Sequence, residues 1–218
     1  MILETRATAP FFKNGYVLGC EATRDGVVID PGDEVELLLD AVHQHELKPS
    51  AILLTHAHLD HVTGVRRAKE ELGGIPVWLH QADNFLYQGV VQQGAMFGFR
   101  VEPQPPVDQF YSEGQSLRFG EYDIAVHHTP GHCPGGVALA VNGDPRTTGP
   151  TERRILIVGD TLFAGSIGRT DLPGGDTATL LRSIREVLFS FPDGTPVYSG
   201  HGDVTTIGRE KRSNPFLA

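Results

Sequence analysis

Cysteine is scarce in this chain: Cys20 and Cys133 are the only two in 218 residues, too few for a disulfide framework. That scarcity points to a reducing compartment. No apolar run approaches the roughly 20 residues that a membrane-spanning helix needs, and Met1–Arg6 lacks the charged and apolar pattern of a signal peptide. A cytoplasmic protein that neither spans nor coats a membrane is expected. Basic residues are also in the minority. Lys and Arg number 18 against 27 Asp and Glu, a net charge of −9 with no basic run, which argues against a nucleic-acid surface. No Gly-, Ser- or Pro-rich linker divides the chain, so a single domain over residues 1–218 is expected. Charged residues make up 21% and hydrophobic ones 39%, enough for a packed core.

The stretch that stands out is Thr55-His56-Ala57-His58-Leu59-Asp60-His61. Three imidazoles and a carboxylate in six consecutive residues offer the common ligands of zinc, iron and manganese. An apolar run, residues 51–54, precedes it and reads as a buried strand. A helical pattern through Val62, Val65, Ala68, Lys69 and Leu72 follows, closed by Gly73 and Gly74. On an extended backbone His56 and His58 point the same way. A turn after them would aim Asp60 and His61 at a second point nearby, so one cluster would serve two adjacent metals.

The remaining chain supplies a scaffold of alternating elements. Residues 16–20 and 26–29 read as strands joined by a polar turn. Asp33, with Glu36 three residues on, is the expected cap of a helix ending near Leu47-Lys48-Pro49. Residues 75–79 form a short strand whose proline favours an edge or a strand start. A short helix over 82–87 follows. Gly89–Phe99 has no clear period and reads as a loop, either packed on the core or forming a wall of the substrate cleft. The second half restarts with a hairpin, 116–119 and 122–128 about Gly120-Glu121, and strands at 136–141 and 154–158. A polar surface loop over 142–152 separates those two strands. A helix capped by Asp176, a strand at Val197-Tyr198 and a short basic tail, Arg209–Arg212, complete the order. Two mixed sheets packed face to face with helices outside satisfy it, which makes the chain α/β (α+β).

Three further ligand candidates end strands in glycine-rich surroundings: His132 in Pro-Gly-His, Asp160 in Gly-Asp-Thr and His201 in Gly-His-Gly. Glycine beside a ligand lets the backbone turn sharply and approach the site. Asp30 and Thr55 end strands beside the cluster and are candidates for orienting a ligand histidine. His43 and His45 read as solvated helix residues. His80, His127 and His128 read as structural, and Cys133 as a small residue in a tight turn.

The motifs T-H-x-H-x-D-H, P-G-H, G-D-T-L-F and G-H-G, in that order from about Asn14 to Phe216, resemble the metallo-β-lactamase-fold hydrolases. Gly159–Asp171 and the ending Asn214-Pro215-Phe216-Leu217 are similar to the short, single-domain glyoxalase II-like, or hydroxyacylglutathione hydrolase-like, members. The resemblance implies an αββα sandwich of two mixed β-sheets with helices on both outer faces. It implies that His56, His58 and His132 hold one metal, that Asp60, His61 and His201 hold another, and that Asp160 bridges them. Zinc is the expected pair, and iron or manganese accepts the same donors. Two such ions lower the pKa of a shared water towards neutrality and polarise a carbonyl. A thioester suits this chemistry because its thiolate leaves without a strong general acid, and Asp60 is the candidate to orient the attacking water or carry its proton. The expected substrate is a small-molecule thioester such as S-lactoylglutathione or a related acyl-thiol. Full-length glyoxalase II enzymes carry a C-terminal helical extension that helps hold glutathione. This chain stops soon after His201, a departure that bears on glutathione specificity rather than on hydrolysis. The remaining candidates for a substrate carboxylate are Arg169, Arg209, Lys211 and Arg212, with a salt bridge from Arg169 to Asp171 as its structural alternative.

Two other readings compete. A mono-iron persulfide dioxygenase of the same fold shares a Gly-Arg-Thr-Asp stretch, present here as residues 168–171, and holds one iron through two histidines and an aspartate. His201 stands in Gly-His-Gly rather than the Ala-His-Asp setting of such enzymes. A non-enzymatic metal-binding protein would not need all seven donors intact.

Overall fold

A computed structural model describes residues 1–112, 114–143 and 154–217. The expected surface loop over 142–152 falls mainly outside the described residues. The chain divides into two compact units, one spanning Met1–Ser112 with Arg118–Glu121 and the other the remainder.

The first unit is built on a six-stranded sheet in the order β1 to β6. Strands β1 (Ile2–Thr8), β2 (Lys13–Gly19) and β3 (Asp25–Ile29) form an antiparallel meander. Helix α1 (Glu36–Gln44) then carries the chain across to β4 (Lys48–Leu53), which pairs with β3 in parallel. Helices α2 (Leu59–Val62) and α3 (Val65–Glu71) lead to β5 (Val77–Leu79), parallel to β4, and β6 (Gln109–Phe110) is parallel to β5. The sheet is therefore mixed. Its core against α1 consists of Val17, Val28, Leu38, Ala41, Val42 and Leu47, all buried.

Four local expectations change here. Asp33 does not cap α1; Val35 stands at the cap position without a side-chain bond. Burial, the largest influence, raises the Asp33 pKa. The helix also stops earlier than the proline suggested, because Lys48-Pro49 already belongs to β4. The pattern after the histidine cluster is two short helices rather than one, and α3 ends where Gly74 N–H bonds the Lys69 carbonyl at 2.8 Å. Residues 89–99 are not a loop. They contain helix α5 (Val90–Met96), after α4 (Asn84–Gln88). Gly94 sits inside α5 because a Cβ there would come within 2.5 Å of Val101 Cγ2.

The other sheet has the order β14–β13–β10–β9–β8–β7. The strands are β7 (Ser116–Phe119), β8 (Tyr122–His128), β9 (Val137–Gly143), β10 (Ile155–Ile157), β13 (Pro196–Tyr198) and β14 (Thr205–Thr206). Only the β10–β13 pair is parallel among the paired registers of this sheet, which makes it mixed as well. A small ribbon, β11 (Leu162–Phe163) and β12 (Ser166–Ile167), follows β10. Helix α6 (Thr177–Glu186) begins where the Asp176 side chain accepts from Thr179 N–H at 2.7 Å, the expected cap. Its Leu180 and Ile184 pack with Leu156, Val158, Leu162, Leu188 and Val197. The basic tail is not a tail but helix α7 (Ile207–Ser213), with Thr206 as its cap.

Leu180 is fully buried in this cluster. Its truncation to alanine should cost about 2–5 kcal/mol, the lost transfer energy plus the residual cavity. The exposed Leu37→Ala change should cost no more than about 0.5 kcal/mol. Urea unfolding checks both, and a Leu180→Ala loss as small as that of Leu37→Ala would contradict this packing.

Candidate metal centre

In the first unit, β4 delivers a buried strand end, Leu54-Thr55, directly into the cluster. His58 stands at the start of α2 with extended backbone, φ −71 and ψ 153, so His56 and His58 precede the helix and Asp60 and His61 lie within it. The His56 and His61 rings lie 4.0 Å apart, and the His56 and His58 rings 4.9 Å. His61 Nε2 is 3.8 Å from Asp60 Oδ2. All three histidines are buried.

One carboxylate organises this group. Asp30 is fully buried and accepts from Thr55 N–H at 2.7 Å, from the Thr55 hydroxyl at 2.6 Å and from His61 Nδ1 at 2.9 Å. An ionised carboxylate only accepts, so the proton of His61 resides on Nδ1 and its Nε2 keeps the lone pair. The Thr55 hydroxyl spends its proton on Asp30. Its oxygen therefore accepts from His56 Nδ1, 3.2 Å away, and His56 is left in the same tautomer. This is the arrangement expected for metal-ligating imidazoles, whose other nitrogen is held by an oxygen acceptor. Asp30 thus contacts Thr55 and His61, and Thr55 contacts His56.

Three further residues hold the cluster that sequence reading did not find. Asp83 accepts from Ala57 N–H at 3.1 Å. Gln93, on α5, accepts from Leu59 N–H and donates to the Ala57 carbonyl, each at 3.1 Å. Lys13, at the start of β2, is 1% exposed and donates from Nζ to the Asp30 carbonyl. Gly32 lets the Asp30-Pro31-Gly32 turn press on α2, since a Cβ there would lie 1.8 Å from the Asp60 carbonyl oxygen. Residues 89–99 are therefore largely helix rather than loop, and Phe99 at their end does line a cleft. They place Gln93 against the backbone of the ligand stretch. A cleft of about 440 Å³ does exist in this unit, lined in part by Phe11, Leu59, Arg66, Phe99 and Arg100. The Phe11 and Phe99 rings meet edge to face at 5.2 Å.

In the second unit, His132, Asp160 and His201 all follow strands. His132 Nδ1 donates to the Arg169 carbonyl at 2.7 Å, which again fixes the tautomer with Nε2 bearing the lone pair. Asp160 Oδ2 lies 3.7 Å from His132 Nε2 and 3.5 Å from His201 Nε2. One carboxylate oxygen thus stands between two imidazoles, at distances too long for hydrogen bonds and suited to an ion between them. The Gly131 backbone, at φ +130, brings His132 against α6, and a Cβ there would be 2.2 Å from Leu180 N.

The predicted substrate cations are committed elsewhere. The Arg169 guanidinium pairs with Asp171 at 2.7 and 2.8 Å and holds that carboxyl down to about 2. Lys211 Nζ donates to Asp193 at 3.0 Å, Arg212 lies 3.5 Å from the same carboxylate, and Arg209 lies 4.0 Å from Glu210. Glu210 is buried and fastens α7 by accepting from Gly165 N–H and the Asn214 amide. Among the other histidines, His45 is not merely solvated but bonds Glu4 at 2.7 Å. His80 caps a turn, and His128 donates to the Pro134 carbonyl. His127 packs on Phe191, and burial, with Arg154 nearby, depresses its pKa. Cys133 is buried.

The donor set in each unit, imidazole nitrogen with fixed tautomer plus carboxylate oxygen, fits a divalent ion of borderline softness. Comparison with known proteins agrees. Residues 8–201 match the model of the metallo-beta-lactamase superfamily. The chain is 37% identical over 208 residues to the hydroxyacylglutathione hydrolase GloC of Haemophilus influenzae, covering 94% of this chain and 93% of that one. Among solved structures it is similar to BLEG-1 B3 metallo-beta-lactamase, with a TM-score of 0.86, 36% identity and full coverage of both chains. It is also similar to TTHA1623 in a di-iron-bound form, with a TM-score of 0.83 and 41% identity over 98% of this chain and all of that one. Among the described residues no helix is long and apolar enough to cross a membrane. With two mixed sheets, their helices and strand-end histidines and aspartates in this order, the chain belongs to the metallo-beta-lactamase superfamily.

Proposed function

We propose that the chain is a metal-dependent thioester hydrolase of the glyoxalase II type, acting on a lactoyl or related acyl thioester of a small thiol. His56, His58 and His132 would hold one metal, and Asp60, His61 and His201 the other, with Asp160 shared. The observation that carries this reading is the commitment of Nδ1 at His61 and His132 to Asp30 and to the Arg169 carbonyl, which leaves Nε2 of each as a ready donor. The likeness to GloC supports the substrate class, and the likeness to a di-iron protein supports two ions. When bound, the metals supply a water of lowered pKa and polarise the thioester carbonyl.

The protein's own residues do the rest. Asp30 and Thr55 hold the imidazoles in the binding tautomer. Asp60 orients the attacking water and takes its proton. The leaving thiolate needs no strong acid, since a thiol has a pKa of about 8.5. Arg169, Arg209, Lys211 and Arg212 remain candidates for a substrate carboxylate, but each is exposed and already paired, so each would contribute only about 0–1 kcal/mol. The Phe11–Phe99 cleft with Arg66 and Arg100 offers a second surface for the thiol portion. A cytoplasmic location fits a thiol-dependent reaction.

The second reading, a mono-iron persulfide dioxygenase, rests on Gly168-Arg169-Thr170-Asp171. Within that stretch the structure gives Arg169 a task of its own, since its carbonyl holds His132. The hydrolase reading is preferred because His61 retains a built support in Asp30.

Reconstituted protein should hold two metals per chain by elemental analysis. His58→Ala and His132→Ala should each lower hydrolysis of S-lactoylglutathione at least about 1,000-fold with the fold unchanged by circular dichroism. Wild-type protein that takes up oxygen with glutathione persulfide and leaves thioesters intact would establish the second reading.

Asp30→Asn should weaken metal binding about 10–100-fold. The amide nitrogen would face His61 Nδ1 and force the proton onto Nε2. Isothermal titration of metal into the variant checks this, and unchanged affinity would count against the tautomer account.

Replacing Lys211 and Arg212 together by glutamine should raise KM no more than about fivefold and leave kcat unchanged, the pattern of lost uniform binding. Steady-state kinetics on the thioester checks it.

A further inference from the structure

Lys13 is a lysine where the strand calls for an apolar residue. It opens β2, every residue of which is buried, and is itself 1% exposed. Lysine is almost never so buried without a charged or polar task, because desolvating an ammonium is costly. Its Nζ donates to the backbone carbonyl of Asp30, and that carbonyl also accepts from Gly32 N–H at 2.9 Å. Asp30 has φ +48, a left-handed conformation that residues other than glycine seldom adopt. The backbone of this one residue decides where its carboxylate points. Its carboxylate is the group that holds Thr55 and His61.

The stem of Lys13 passes beneath the same turn. A Cβ on Gly32 would lie 2.8 Å from Lys13 Cε and 1.8 Å from the Asp60 carbonyl. The stem therefore lies against the Asp30-Pro31-Gly32 turn, and the Lys13 charge acts on Asp33 against that of Asp60. We propose that Lys13 is a positioning residue for the metal centre: by gripping the Asp30 carbonyl it holds Asp30 in its left-handed conformation and so sets the orientation of the His61 donor. The proposal rests on the reading that His61 ligates a metal.

Cobalt(II) titration of the metal-free, full-length protein, followed by visible absorption, tests it. His61→Ala identifies the phase that depends on His61, and His58→Ala the other. Lys13→Met should weaken the His61-dependent phase about 10–100-fold, as loss of a supporting contact to a ligand does, and leave the other phase within about threefold. Lys13→Gln, which keeps an N–H donor, should show a smaller loss confined to the same phase. Unchanged affinity in Lys13→Met would overturn the proposal. Equal weakening of both phases with a lowered melting temperature of the metal-free variant would overturn it too, since Lys13 would then serve the fold alone. If Lys13→Met does not fold, Lys13→Gln decides by the same two criteria. Wild-type protein without a His61-dependent phase would overturn the two-metal reading itself, and the Lys13 proposal with it. A wild type that shows the phase beside an unaffected Lys13→Met would overturn the Lys13 proposal alone.

Discussion

The first unit depends on a carboxylate with no access to water. Asp30 accepts three hydrogen bonds, two from Thr55 and one from His61. Burying a charge of this kind is expensive unless its lone pairs are filled. Here filling them performs a second task, since the donors belong to the strand end that starts the ligand cluster. The register of β3 beside β4 brings them together, with Ile29 opposite Leu53 and Asp30 N–H on the Leu53 carbonyl. Sheet pairing, backbone conformation and imidazole tautomer are therefore consequences of one another. A change at any of them reaches the donor nitrogen.

The second unit solves the same problem with backbone. His132 has the Arg169 carbonyl where His61 has a carboxylate. A carboxylate binds the imidazole more strongly and adds negative charge near a cation site. The two supports would thus give ligands of different basicity. Asp160, with one oxygen between His132 and His201, adds its charge on the same side.

The donors were legible in the sequence because each lies in a short motif whose chemistry is local. The strand-end position of Asp30 and Thr55 was legible for the same reason. What was hidden depends on distance along the chain. Lys13, Asp83 and Gln93 touch the cluster from separate elements, and nothing beside them in sequence marks them. Gln93 was further concealed because the glycines around it suggested a loop, whereas Gly94 answers the close approach of Val101 and the Phe99 carbonyl. The basic residues of α7 looked like a ligand grip because charge is visible in a sequence and its partner is not. Asp193, 18 residues before Lys211, takes up two of them.

The central claim is that the imidazoles are set in their binding tautomers before any metal arrives. Nitrogen-15 NMR of the metal-free protein, labelled at histidine, reads this directly. His61 and His132 should each carry a proton fixed on Nδ1, and the Asp30→Asn variant should move His61 and leave His132 in place. Averaged nitrogen shifts at His61 and His132, or a proton on Nε2, would contradict the account.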